Sequence, residues 1–220
     1  MNHGELHRHG LKAGLMALAL LAAGAAGTAV AAGGNSGAPD PVAMNKPHKP
    51  FQIYGNTYYV GTDQLSSILI TSEFGHVLID GGLPESAPQI KANIEALGFK
   101  LTDVKAILNS HTHPDHAGGI AELQKISGAD VYALRPANDV LTTGRQNPAD
   151  PQAATKGASV PKVARVWVAQ DDQQIGIGSI RVHAIATPGH TPGGTTWAWD
   201  ACEGSKCLKA VYADSLNPVS

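Results

Sequence analysis

Short apolar runs bounded by Gly, Pro, Asn or Asp recur from residue 51 onward, a pattern that reads as strands joined by turns. FQIY at 51–54 and TYYV at 57–60 flank Gly55-Asn56, a hairpin signal. SILIT at 67–71 and HVLID at 76–80 flank Glu73-Phe74-Gly75 and predict a second hairpin. The period then changes. Ala87, Ile90, Ile94 and Leu97 fall at helical spacing over 84–97, and Gly98 is placed to end that helix. A short apolar strand is expected at 104–108, a helix at 117–126, a strand at 131–134 and a short helical piece at 138–143. Residues 144–161 show no period and predict a long loop, of the kind that commonly rims a site. Further strands are expected at 163–168, 180–186, 195–199 and 208–213. Strands in runs with a few interposed helices predict an α/β (α+β) fold: packed sheets covered by helices, with ligands on loops at strand ends.

Residues 1–32 follow another pattern. Arg8 and Lys12 precede LMALALLAAGAAGTAVA, which ends in the small-x-small triplet Ala29-Val30-Ala31. That is a signal peptide, and Ala and Gly make the run too short and too weakly apolar for a membrane span. The expected location is periplasmic or secreted, with no stable membrane association after cleavage. Residues 33–50, rich in Gly, Pro, Ser and Asn, are expected to be a flexible mature N-terminus. Residues 51–220 form the domain, and about 190 residues after cleavage suffice for one core.

Export changes the reading of Cys202 and Cys207, which flank Glu-Gly-Ser-Lys between two strand-like runs. In an oxidising compartment they form a disulfide across a hairpin. So small a loop adds about 2 kcal/mol or less on the chain-entropy view. A thiolate metal pair has no CxxC spacing behind it. The formal charge of −2 with 16 Lys and Arg, and no basic run, excludes a nucleic-acid partner.

The chemistry concentrates in His111-Thr112-His113-Pro114-Asp115-His116. In extended backbone, positions i and i+2 share a face, so His111 and His113 can converge on one ion. Asp115 and His116 follow where the chain turns and can serve a neighbouring ion. Asp115 is also placed to cap the helix that follows, but capping accounts for no histidine. A second candidate lies in Thr187-Pro-Gly-His190-Thr-Pro-Gly-Gly194, a turn whose glycines permit close approach to a first ion that needs a third nitrogen. His76 and His183 fit no motif.

Together VLIDGG, HTHPDHAGG and TPGHTPGGTTW resemble the metallo-β-lactamase superfamily from Phe51 to the chain end. The N-terminal segment, GHTPGGTTW, the Cys202–Cys207 hairpin and YADSL at 212–216 narrow the resemblance to the third subclass of secreted zinc β-lactamases. It implies a four-layer αββα sandwich with the site at one edge of two sheets, and two Zn²⁺ per complete enzyme. His111, His113 and His190 would bind the first zinc; Asp115 and His116 would serve the second. Asp80 matches a carboxylate that steadies the metal loop, although a strand-end Asp in an Asp-Gly-Gly turn explains it as well. Ser215 matches a serine facing the site, and Asp214 beside it is read as structural. The family's second zinc takes another histidine from beyond the YADSL strand, so the sequence is expected to be a C-terminally truncated fragment lacking the last part of the second half. The 220 residues alone are then expected to be inactive or unstable.

The reaction so implied is hydrolysis of the β-lactam amide by a zinc-bound hydroxide, conferring β-lactam resistance, with Asp115 guiding a proton to the released nitrogen. The substrate is a small molecule; the oligomeric state is open. Two other readings stand beside it. One keeps the fold and metals for a lactone, thioester or small-ester hydrolase. The other is a secreted zinc-binding protein without catalysis, against which the small residues around His190 and the long 144–161 loop weigh.

Overall fold

The computed structural model describes residues 40–216. The expected signal peptide and residues 33–39 lie outside the described residues. Residues 40–50 correct the expectation of a flexible segment. Asp40 caps a one-turn helix, α1 (Pro41–Met44), by accepting from Val42 N at 3.0 Å. The Met44 carbonyl accepts from Thr62 Oγ1 at 2.9 Å, and the Lys46 carbonyl from Asp63 N at 2.9 Å. The backbone groups that composition left without partners find them in a turn 17 and 18 residues on.

A seven-stranded sheet follows in sequence order: β1 (Phe51–Tyr54), β2 (Thr57–Tyr59), β3 (Ile68–Ile70), β4 (His76–Ile79), β5 (Val104–Leu108), β6 (Asp130–Leu134) and β7 (Val166–Ala169). β1 to β4 pair antiparallel; β4, β5, β6 and β7 pair parallel. Helices make the parallel crossovers: α2 (Ala87–Ala96) after β4, α3 (Pro114–Ala117) and α4 (Ile120–Ser127) after β5, α5 (Arg135–Thr143) after β6. A second, antiparallel sheet comprises β8 (Gln174–Ile177), β9 (Ile180–Ala186), β10 (Thr195–Glu203) and β11 (Lys206–Tyr212), in the order β11-β10-β9-β8.

Alternation along the central strands explains the layering. Leu69, Leu78 and Ile107 pack with Ile90, Ile94, Ile120 and Leu123 of the helices. Their neighbours Ile70, Val77, Ile79 and Leu108 face the second sheet and meet Val182, Trp197 and Trp199. Burial on both faces is why these strands read as unbroken apolar runs. The second sheet is buried on one face only. Along β9, Ile180, Val182 and Ala184 are buried while Arg181 and Ile185 are exposed. The described residues thus supply a helix layer and two sheets of the sandwich.

Three elements differ from expectation. β8 was not foreseen, because Gln174 and Gly176 dilute its apolar content; it forms by pairing with β9 from Ile177↔Ile180 to Gln174↔His183. The helix expected at 117–126 divides into α3 and α4, because Pro114 starts a turn early with His113 as its N-cap. Asp115 therefore lies inside the first turn of α3, and it is not the cap of the following helix. The break between the helices is a backbone contact: a Cβ on Gly119 would stand 2.2 Å from the Gly81 carbonyl oxygen. β10 and β11 extend to a tight turn at Gly204-Ser205, where Cys202 pairs with Cys207 and the two form the expected disulfide. No helix among the described residues is long and apolar enough to cross a membrane.

Candidate metal centre

β4, β5 and β11 end on the same edge of the sandwich, and the turn between β9 and β10 closes over it. Beyond Leu108 the chain leaves the sheet with a bend at Ser110 and reaches an extended His113 (φ −70°, ψ 151°), and the rings of His111 and His113 meet edge to face with centroids 4.8 Å apart. The β9–β10 turn is closed by Thr187 N to the Gly194 carbonyl at 2.9 Å, and Thr195 N reaches the Ser110 carbonyl at 2.8 Å. That second bond ties the turn to the metal loop. Gly194 is required there, since a Cβ would lie 2.3 Å from Asp214 Oδ2. His190 consequently points into the cluster, with Nε2 3.1 Å from His113 Nδ1.

The ligand atoms of His111, His113 and His190 all lie within 4.8 Å of one another, and those of His111, Asp115 and His116 do likewise. In a tetrahedral site with metal–nitrogen bonds of about 2.0–2.1 Å, ligand nitrogens stand about 3.4 Å apart, so the spacing suits a shared cation.

What sequence reading missed is the second ring of groups. His111 Nδ1 lies 2.8 Å from Asp214 Oδ1, His113 Nε2 lies 3.0 Å from Asp150 Oδ2, and His116 Nδ1 lies 2.8 Å from Asp80 Oδ2. Asp150 and Asp80 hydrogen-bond the remote nitrogens of His113 and His116, while Asp214 stands beside His111 at ion-pair distance without a hydrogen bond. A ring so held keeps its proton on that side and turns a lone pair to the cluster. Asp214 is buried, so the residue reaching the site from the end of β11 is this aspartate, read from sequence as structural. Ser215, expected to face the site, is the half-buried residue after it. Asp150 comes from the 144–161 loop, and no local signal marked it.

Asp80 serves the metal loop as well as His116. Fully buried, it accepts from Ser110 N at 2.7 Å, Ser110 Oγ at 2.5 Å, Asn109 Nδ2 at 3.3 Å and Tyr212 OH at 3.0 Å. Its φ of 58° is a left-handed conformation that aspartate tolerates better than most residues. Asp80 thus makes the turn with its backbone and ties the 109–116 loop with its side chain.

Burial, and next the nearby His116, push the His111 imidazole down to about 2. Burial also lowers His113. His116 is raised: burial opposes its charge, but the hydrogen bond and charge of Asp80 outweigh it. The apo protein should therefore weaken with acid. His111 stays neutral when folded and His113 takes up its proton only at lower pH than it does unfolded, whereas the unfolded chain protonates both below the ordinary value of 6.5. Each can remove up to about 1.4 kcal/mol per pH unit as pH falls from there. His116 acts oppositely; its stabilisation is complete below 6.5 and is lost only as pH rises through its raised value. Urea midpoints of metal-free protein are expected to drop between about pH 6.5 and 5.5, and a flat profile would contradict these environments.

The geometry agrees with what the chain is similar to. Residues 60–201 match the family described as the metallo-beta-lactamase superfamily. The Rm3 metallo-beta-lactamase is 53% identical with a TM-score of 0.81, over 84% of this chain and 68% of that one. MEM-A1, a subclass B3 metallo-beta-lactamase from a soil metagenome library, is 50% identical with a TM-score of 0.78, over 80% of this chain and 67% of that one. A hydroxyacylglutathione hydrolase of Rhodopseudomonas palustris is 31% identical over 60% of this chain, which spans 45% of its length. The histidine cluster, the two packed sheets and the match over 60–201 together show that the chain belongs to the metallo-β-lactamase superfamily.

Proposed function

We propose that the protein hydrolyses the amide bond of β-lactams with zinc as its metal. The observation that carries this reading is a three-imidazole cluster adjoining Asp115 and His116, in a chain 50–53% identical to the two β-lactamases above. Bound there, zinc supplies a Lewis acid and brings the ionisation of water near neutral pH. His111, His113 and His190 offer uncharged nitrogens and so leave the cation's charge undiminished. Burial of His111 favours that neutral form. Asp150 and Asp80 hold the His113 and His116 imidazoles in the orientation and tautomer that ligation needs, with Asp214 close behind His111. Asp115, with Oδ2 3.8 Å from His116 Nε2 and its side chain 36% exposed, is the carboxylate placed to pass a proton to the departing lactam nitrogen.

Export to the periplasm or beyond, directed by residues 1–32, belongs to the same proposal; the Cys202–Cys207 disulfide suits an oxidising compartment. A thioester hydrolase is the second reading, favoured by the likeness to the hydroxyacylglutathione hydrolase. Assayed as the complete protein, it is expected to hydrolyse nitrocefin, to lose that activity to a zinc chelator and to regain it with added Zn²⁺. Cleavage of a hydroxyacyl-glutathione thioester with nitrocefin untouched would favour the second reading. A stoichiometric zinc complex inert toward both would mark a binding protein without catalysis.

A further inference from the structure

The 144–161 loop is fastened to the metal centre at two points. Gln146 Nε2 donates to the Thr112 carbonyl at 2.7 Å and to the Ala158 carbonyl at 2.6 Å, so it bridges the metal loop and the far end of its own loop. Asp150 reaches deeper. Its Oδ2 lies 3.0 Å from His113 Nε2, and its Oδ1 accepts from Gln152 N at 2.8 Å, closing a turn within the loop. The Asp150 side chain is 1% exposed, so water does not compete for either oxygen. One carboxylate thus fixes both the loop's turn and the ring that offers Nδ1 to His190 and the cluster. Thirty-seven residues separate Asp150 from His113, so the link exists only in the folded chain.

We infer that Asp150 is a positioning residue through which the 144–161 loop and a cation at the three-histidine cluster hold each other in place. A cation drawing on Nδ1 makes Nε2–H a stronger donor, which tightens its bond to Asp150 and so to the loop. By linkage, a loop that holds Asp150 in place favours the cation to the same extent. Asparagine cannot substitute. Its single oxygen would have to serve both Gln152 N–H and His113, and its amide NH₂ facing Nε2 would drive the ring proton onto Nδ1, the ligand atom.

The inference rests on the metal-site reading, and the test separates the two. The full chain is digested with trypsin with and without Zn²⁺, following cuts at Arg145 and Lys156, both exposed in the loop, against Lys100, exposed outside it. Zinc is expected to slow the two loop cuts several-fold relative to Lys100. In competition with a chromophoric chelator, Asp150→Asn and Asp150→Ala are expected to lose about 10- to 100-fold in zinc affinity. The exposed control Asp139→Asn should bind as wild type does. The variants should also lose the zinc protection of Arg145 and Lys156. Wild-type zinc binding with unchanged variant affinities, or with unprotected loop cuts, would overturn the coupling and leave the metal site standing. No zinc binding by the wild type would overturn both. The digestion arm needs no variant, so a misfolded substitution does not rescue the idea.

Discussion

Replacing His113 with alanine removes the cation from the three-histidine cluster. Substitution of a carboxylate behind a ligand commonly costs about 10- to 100-fold in metal affinity, so loss of the ligand itself should exceed the upper figure. Two consequences follow from the same change. Nδ1 is lost opposite His190, leaving two imidazoles where a cation needs three. Asp150 keeps a 1%-exposed carboxylate with no imidazole to face, and stranding a buried charge costs about 3–5 kcal/mol. Chelator competition and urea unfolding of the metal-free variant check the two effects separately. Nitrocefin hydrolysis should disappear with the zinc. A His113→Ala protein that retained both full zinc content and hydrolysis would remove this residue from the ligand set.

Asp80→Ala should cost about 3–5 kcal/mol even with no metal present. The carboxylate accepts from Asn109, Ser110 twice, His116 and Tyr212; without it the buried Ser110 N–H loses its acceptor, while Asn109 keeps the His111 carbonyl and Tyr212 the Ser66 carbonyl. Alanine at φ 58° adds backbone strain. Asp80→Asn should fall between wild type and alanine, since asparagine tolerates the left-handed backbone and keeps one acceptor oxygen. Denaturant unfolding of chelator-treated protein measures this directly. A loss below about 1 kcal/mol for the alanine variant would reduce Asp80 to an ordinary turn residue.

The histidine and aspartate candidates at 111–116 were legible in sequence because their arrangement is local. Alternation over His111-Thr112-His113 and the turn at Pro114 bring four of the five candidates together without reference to the rest of the fold. His190 was legible through its turn, whose spacing of Pro and Gly announces close packing. The central strands were legible because burial on both faces leaves apolar runs such as VLI at 77–79. What stayed hidden depends on tertiary pairing. β8 is a strand only because β9 lies beside it. α1 holds its place through carbonyls that meet the 61–65 turn. Asp150 sits in a stretch with no period, and nothing in Asn147-Pro-Ala-Asp150 indicates that a histidine 37 residues back lies against it. Asp214 was in view within YADSL, yet its partner His111 is far away in the sequence.

The three aspartates behind the imidazoles enter from positions 80, 150 and 214, each in a separate part of the chain. An unfolded polypeptide can offer a cation little beyond the hexapeptide at 111–116, a flexible and weak chelator whose rings are free to turn. High affinity has to wait until both sheets have closed and the long loop has seated. Zinc capture would then proofread folding: it rewards the finished architecture, penalises every partial one, and delays commitment of a scarce ion until the chain is worth loading.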